Sequence, residues 1–115
     1  MNPLITTLEP SAPPFTAQEI LASGGYHGTV LTFNPGGVIA DETDSVNDRI
    51  YVGCDGTVMI NSAGVSTYLH PQTALLVPKG NAHSLQEKSN QSAKVLRLDI
   101  PPRHVTTAPL VTLGT

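Results

Sequence analysis

From residue 26 onward the chain alternates. Apolar and polar positions trade places at period two in short runs, and each run is closed by a turn: YHGTVLTFN at 26–34 before Pro35-Gly36-Gly37, RIYVG at 49–53 before Asp55-Gly56, TVMIN at 57–61 before Ser62-Ala63-Gly64. Residues 65–70 then run to Pro71, and 74–77 to Pro78-Lys79-Gly80; a weakly apolar stretch at 37–45 and the segments 82–87 and 94–100 complete the set. Eight or so short strands at this spacing predict an antiparallel sandwich or small barrel. Asp55-Gly56 predicts a hairpin between its two flanking strands.

The first quarter of the chain reads differently. Thr16-Ala17-Gln18-Glu19 has the pattern of a capping box, and with Gly24-Gly25 as a stop it predicts one short helix over 17–23. Before it, the apolar segment 4–8 and the prolines at 10, 13 and 14 describe an extended arm. After residue 100, PPRHVTTAPLVTLGT is an apolar, proline-rich extension that needs a surface to lie on. The expectation is one all-β domain over residues 1–115: arm and short helix at 1–25, barrel at 26–100, extension at 101–115.

Composition narrows this picture. Ten glycines and ten prolines in 115 residues, with 13% charged residues, favour turns and strands over helix interiors. A net charge of −3 with dispersed Lys and Arg gives no footprint for nucleic acid or an anionic membrane. One cysteine, Cys54, makes no intramolecular disulfide, and the N-terminal residues carry no basic, apolar leader pattern. A cytoplasmic location is expected.

The motifs carry a resemblance. Gly37, RIYVGCDG ending at Gly56, and Pro78-x-Gly80-x2-His83 resemble the framework of a small single-domain cupin, a jelly-roll barrel. The resemblance implies a metal held by two histidines and a glutamate of a first motif and a histidine of a second. Counting from Gly37 and Gly56, the two histidine positions fall on Thr43 and Ser45, and the glutamate on Arg49; only His83 is kept. Hydroxyls are poor ligands for a first-row metal and a fixed cation repels one, so no metal cofactor is expected. A shifted register would bring Asp41 or Asp44 near His83.

What replaces the ligand set has its own chemistry. Arg49 and Tyr51 share one strand face, and in the family register they point into the barrel near His83, Thr43 and Ser45. A guanidinium fork, a phenol, an imidazole and two hydroxyls suit a carboxylate or another small oxyanion. The opposing reading turns Ile50 and Val52 inward and leaves Arg49 at the surface or paired with Asp48 or Asp99; the two agree if a second protomer or the arm covers the Ile50/Val52 face. The ligand-binding candidates are therefore Arg49, Tyr51, His83, Thr43 and Ser45, and His83 is also the candidate for acid–base or metal-ligating chemistry. His27, His70, His104 and Cys54 read as structural or exposed.

Three functions fit: a metal-free small-molecule-binding cupin, a cupin enzyme of isomerase or cyclase type (or, with a metal, a dioxygenase), and an interaction module with a vestigial pocket. The doubly apolar strands and the arm predict a homodimer.

Overall fold

The computed structural model describes residues 13–102, which form nine strands and no helix. They are β1 (Phe15–Ser23), β2 (Tyr26–Phe33), β3 (Val38–Glu42), β4 (Asp48–Asp55), β5 (Val58–Ser62), β6 (Val65–Leu69), β7 (Ala74–Val77), β8 (His83–Glu87) and β9 (Ala93–Ile100). Five pair in the order β1-β2-β9-β4-β7 and four in the order β3-β8-β5-β6, all antiparallel. The two sheets face each other as a jelly roll. Leu31, Phe33, Tyr51 and Val95 from the first and Ile39, Val58, Ile60, Leu69 and Leu85 from the second fill the space between them. These are the alternate residues of each strand, as a half-buried sheet requires.

The helix expected over 17–23 is a strand. Seven residues are too few to hold a helix without tertiary support, and the glycines read as a helix stop do something else. Gly24 and Gly25 have φ of 61° and 85°, the two left-handed positions of a tight hairpin turn, and they join Ser23 to its register partner Tyr26. Glu19, the supposed capping residue, instead reaches Nδ1 of His27 at 2.8 Å.

The hairpin expected at Asp55-Gly56 is also absent. Gly56 does take a left-handed φ of 70°, but the turn carries the chain from β4 in one sheet to β5 in the other. An Asp-Gly pair favours a tight turn and leaves open which strand comes next. The arm at 1–12, the extension from 103 and His104 lie outside the described residues.

On the five-stranded sheet the outward residues form two in-register rows, Leu76–Ile50–Leu98–Gly28–Leu21 and Ala74–Val52–Leu96–Val30–Gln18. No charged side chain interrupts them.

Candidate functional site

At one end of the barrel the interior turns polar. β4 and β9 run side by side with Arg49 paired to Asp99 and Tyr51 to Arg97, so one face of two adjacent strands supplies a phenol, two guanidiniums and a carboxylate. From the opposite sheet β8 supplies His83, buried at the start of its strand.

Tyr51 is 1% exposed, and its hydroxyl lies 2.7 Å from Nε2 of His83. Nδ1 of the same ring lies 3.0 Å from the carbonyl oxygen of Asn81. A carbonyl only accepts, so in the neutral ring Nδ1 carries the proton and Nε2 accepts from the phenol. Burial raises the pKa of Tyr51 above that of an ordinary phenol, against the lowering pull of Arg49 and Arg97, so the hydroxyl keeps the proton it donates. Nη1 of Arg49, 3.5 Å from the Tyr51 oxygen, stands at the head of this relay.

Arg49 lies on the inner face and is ringed by carboxylates. Nη1 reaches Glu42 at 3.0 Å, Nη2 reaches Asp44 at 3.5 Å, and Nε reaches Asp99 at 3.1 Å. Burial works against the charge, but Glu42, Tyr51 and Asp99 more than offset it, so the guanidinium pKa sits above its usual value. Arg97 shares Asp99 at 3.6 Å, and its Nε is a buried nitrogen with no hydrogen-bond partner among the described residues.

The expected hydroxyls are elsewhere. Thr43 and Ser45 are exposed, and Glu42 and Asp44 turn toward Arg49 in their place. The cause is a bulge on β3 between Ile39 and Glu42, with Asp41 at a φ of 51°. One extra residue flips every following side chain to the other face. A positive φ at an aspartate has no sequence signature beyond residue type, so counting from Gly37 missed Glu42; Arg97 was missed because it enters from β9, and the Arg49–Asp99 pair expected for a surface arginine forms on the inner face. His27, with Glu19, and His70, stacked on Tyr68, are exposed and stand apart from the cluster, as does Cys54.

A narrow slot lies one strand away from the cluster, and neither Arg49, Tyr51 nor His83 lines it directly. Between the unpaired edges of β6 and β7 lies a space of about 130 Å³ lined by Ile60, Ser62, Val65, Thr67, Leu75 to Pro78 and Asn81. Val77 is the register partner of Arg49, Leu75 of Tyr51, and Ser62 of His83. The slot is thus walled by the immediate neighbours of the three polar residues.

The donor set does not fit a transition metal. Nε2 of His83 is taken by the Tyr51 hydroxyl, and each nearby carboxylate is spent on Arg49, whose charge stands among them. Among the described residues no group of three or more His, Cys, Asp or Glu is placed to hold a metal ion.

The fold has known counterparts. The chain is similar to a cupin superfamily protein from Desulfitobacterium hafniense, with a TM-score of 0.71, 19% identity, and 87% of this chain and 89% of that one covered. It is similar to an RmlC-like cupin from Shewanella frigidimarina at 0.70, with 14% identity and 84% of each chain covered. A Cupin_2 domain of an XRE family transcriptional regulator from Enterobacter cloacae matches at 0.71, with 14% identity over 78% of this chain and 99% of that one. No protein-family model matches the chain, and comparison with curated proteins finds no match. At these identities the likeness establishes the cupin fold.

Proposed function

We propose that this cupin-fold chain binds a small molecule without a transition metal, using Arg49, Tyr51 and His83 as the polar wall and the slot between β6 and β7 for the rest of the ligand. The observation that carries the reading is the register: an apolar-lined slot whose walls are the cross-strand neighbours of a guanidinium, a phenol and an imidazole. Small-molecule sites are built in this way, from apolar walls with a few convergent polar groups. The Nε of Arg97, 3.6 Å from Asp99 and without a hydrogen bond among the described residues, adds a donor that wants a closer acceptor. A carboxylate is the chemistry that two guanidiniums favour. Thermal-shift titration with small carboxylates tests this: stabilisation of the wild type that disappears in Arg49→Ala supports it, and stabilisation that survives the substitution contradicts it.

An enzymatic reading, of the isomerase or cyclase type, rests on the Tyr51–His83–Asn81 relay, which holds a phenol hydroxyl against an imidazole nitrogen. It is separated from binding alone by exchange of carbon-bound hydrogen of a bound carboxylate in D2O. Exchange that needs His83 makes the protein an enzyme.

The partner we propose is a second copy. β1 has eight of its nine residues exposed and so gains little in the monomer, while the two apolar rows it completes lie open. Five strands span about 24 Å, enough for roughly 500 Å² per copy, and two copies together reach the ~1,000 Å² of a stable interface. The vestigial-module reading keeps this dimer and leaves the slot empty. The lone, exposed Cys54 suits the reducing cytoplasm proposed as its location.

A further inference from the structure

The bulge that turns Glu42 inward sends its neighbour the other way. Glu42 is in register with His83 and Ile39 with Leu85, so Ala40 and Asp41 together face Ser84 on β8, and Asp41 stands exposed there with its left-handed φ of 51°. Ser84 alternates with the buried His83 and Leu85 and therefore looks out of the barrel; on its other side it pairs with Asn61 of β5. Asp41, Ser84 and Asn61 thus form a polar row across three adjacent strands. With Ala63, Ala82 and His83 they line a hollow of about 200 Å³.

This hollow presents acceptors. The Asp41 carboxylate takes no part in the ion pairs around Arg49. The Asn61 amide spends Nδ2 on the Ser66 hydroxyl at 3.0 Å, which leaves Oδ1 as its free end, and the Ser84 hydroxyl accepts as readily as it donates. His83 adds a wall but no free nitrogen, since its ring is held by Tyr51 on one side and Asn81 on the other. No lysine or arginine lines the hollow, so the Asp41 charge is not balanced within it.

We infer that this hollow is a second binding site, separate from the Arg49 cluster and independent of its carboxylate reading, and that its ligand is a small primary ammonium. Such a group carries one positive charge and three N–H donors, where the row offers one negative charge and three acceptors. The spacing agrees. Strands β3, β8 and β5 follow one another at about 4.8 Å, so the backbones at Asp41 and Asn61 stand roughly 10 Å apart. Two short side chains and one nitrogen bonded to each at ~2.9 Å fill that distance, with Ser84 beneath. A calcium ion wants about six or more oxygens, well beyond what the row supplies. A quaternary ammonium brings the charge without the donors, and a carboxylate meets the Asp41 charge with no cation to receive it. The volume, about 200 Å³ against the ~150 Å³ of a cavity that admits benzene, leaves room for a short carbon chain beyond the nitrogen.

NMR titration of the isotope-labelled full chain at low salt with ethylammonium, tetramethylammonium and acetate, on the wild type, Asp41→Asn and Ser84→Ala, tests the inference. Asparagine tolerates the left-handed backbone at position 41, and unchanged urea midpoints show that each fold is intact. Ethylammonium is expected to shift the backbone signals of Ser84 and Asn61 and the side-chain amide of Asn61 saturably, with affinity at least about tenfold lower in Asp41→Asn and about threefold lower in Ser84→Ala. Tetramethylammonium is expected to bind at least about fivefold more weakly than ethylammonium, having the charge without the hydrogen bonds. Acetate is expected not to compete. Equal affinity in wild type and Asp41→Asn, or no shift at Asn61 and Ser84, overturns the site. Tetramethylammonium bound as tightly as ethylammonium overturns the choice of a primary ammonium, and acetate competing with it overturns the separation of the two sites.

Discussion

The hydroxyl of Tyr51 and Nε2 of His83 meet across the barrel interior at 2.7 Å, edge-on, with ring centroids 5.5 Å apart. This contact occupies the nitrogen that a metal would need, and it fixes the imidazole tautomer. Tyr51→Phe keeps the ring and leaves Nε2 buried without a donor. The expected loss is about 1–3 kcal/mol, read as a lower urea midpoint at unchanged m-value. In the wild type, the nitrogen chemical shifts of His83 are expected to report a protonated Nδ1.

Arg49 balances carboxylates on three sides. Arg49→Met leaves Glu42, Asp44 and Asp99 facing one another with Arg97 as the remaining cation, and the expected destabilisation is about 3–5 kcal/mol. A loss below ~1 kcal/mol, measured by chemical unfolding, would show that solvent screens these pairs as it does surface ones.

Much of the fold was legible because strand alternation and turn chemistry are local. β7 follows from an apolar tetrad before Pro78, and β2, β4 and β5 from period-two runs closed by glycine. The site was less legible. Arg49, Tyr51 and His83 could be placed by counting along strands, but Glu42 and Asp44 face inward only because one residue bulges at Asp41. Arg97 and Asp99 enter because β9 lies beside β4, a pairing of residues half the chain apart. Gly24-Gly25 shows the same limit at close range: a turn signal is shared by a helix stop and a hairpin, and the neighbouring strand decides between them.

Glu87 gives the molecule an acid-sensitive latch at β8's far end. Its carboxylate is buried and accepts from the backbone of Gly36 at 2.8 Å and Asn90 at 3.1 Å, and from both the backbone and hydroxyl of Ser89. Burial alone would raise its pKa, but these hydrogen bonds outweigh it and hold the folded-state value below the ordinary 4.5. Asp44 is lowered as well: burial opposes, and its bonds to Asn47 and Val46 with the Arg49 charge prevail. A lowered folded-state pKa contributes stability that is present above the unfolded value and lost as pH falls through the folded one. Unfolding free energy is therefore expected to hold steady from pH 7 to about pH 5 and to decline below about pH 4.5. Glu87→Gln is expected to flatten that decline and to lower stability at neutral pH; an unchanged acid slope would contradict the assignment.

The outer face of the five-stranded sheet makes its own prediction. Light scattering on the wild type is expected to give twice the chain mass, and Leu98→Lys, at the centre of one apolar row, the mass of one chain. A wild type that stays monomeric at high concentration removes the second copy as the cover of that face.

A fixed guanidinium stands where a cupin would hold a metal. Elemental analysis of the tag-free protein for iron, manganese, nickel, zinc and copper tests this most directly. The expected result is traces far below stoichiometry that do not rise after incubation with the metals and desalting. A metal retained near one ion per chain would contradict this, and would give His83 the ligand role that its bond to Tyr51 otherwise blocks.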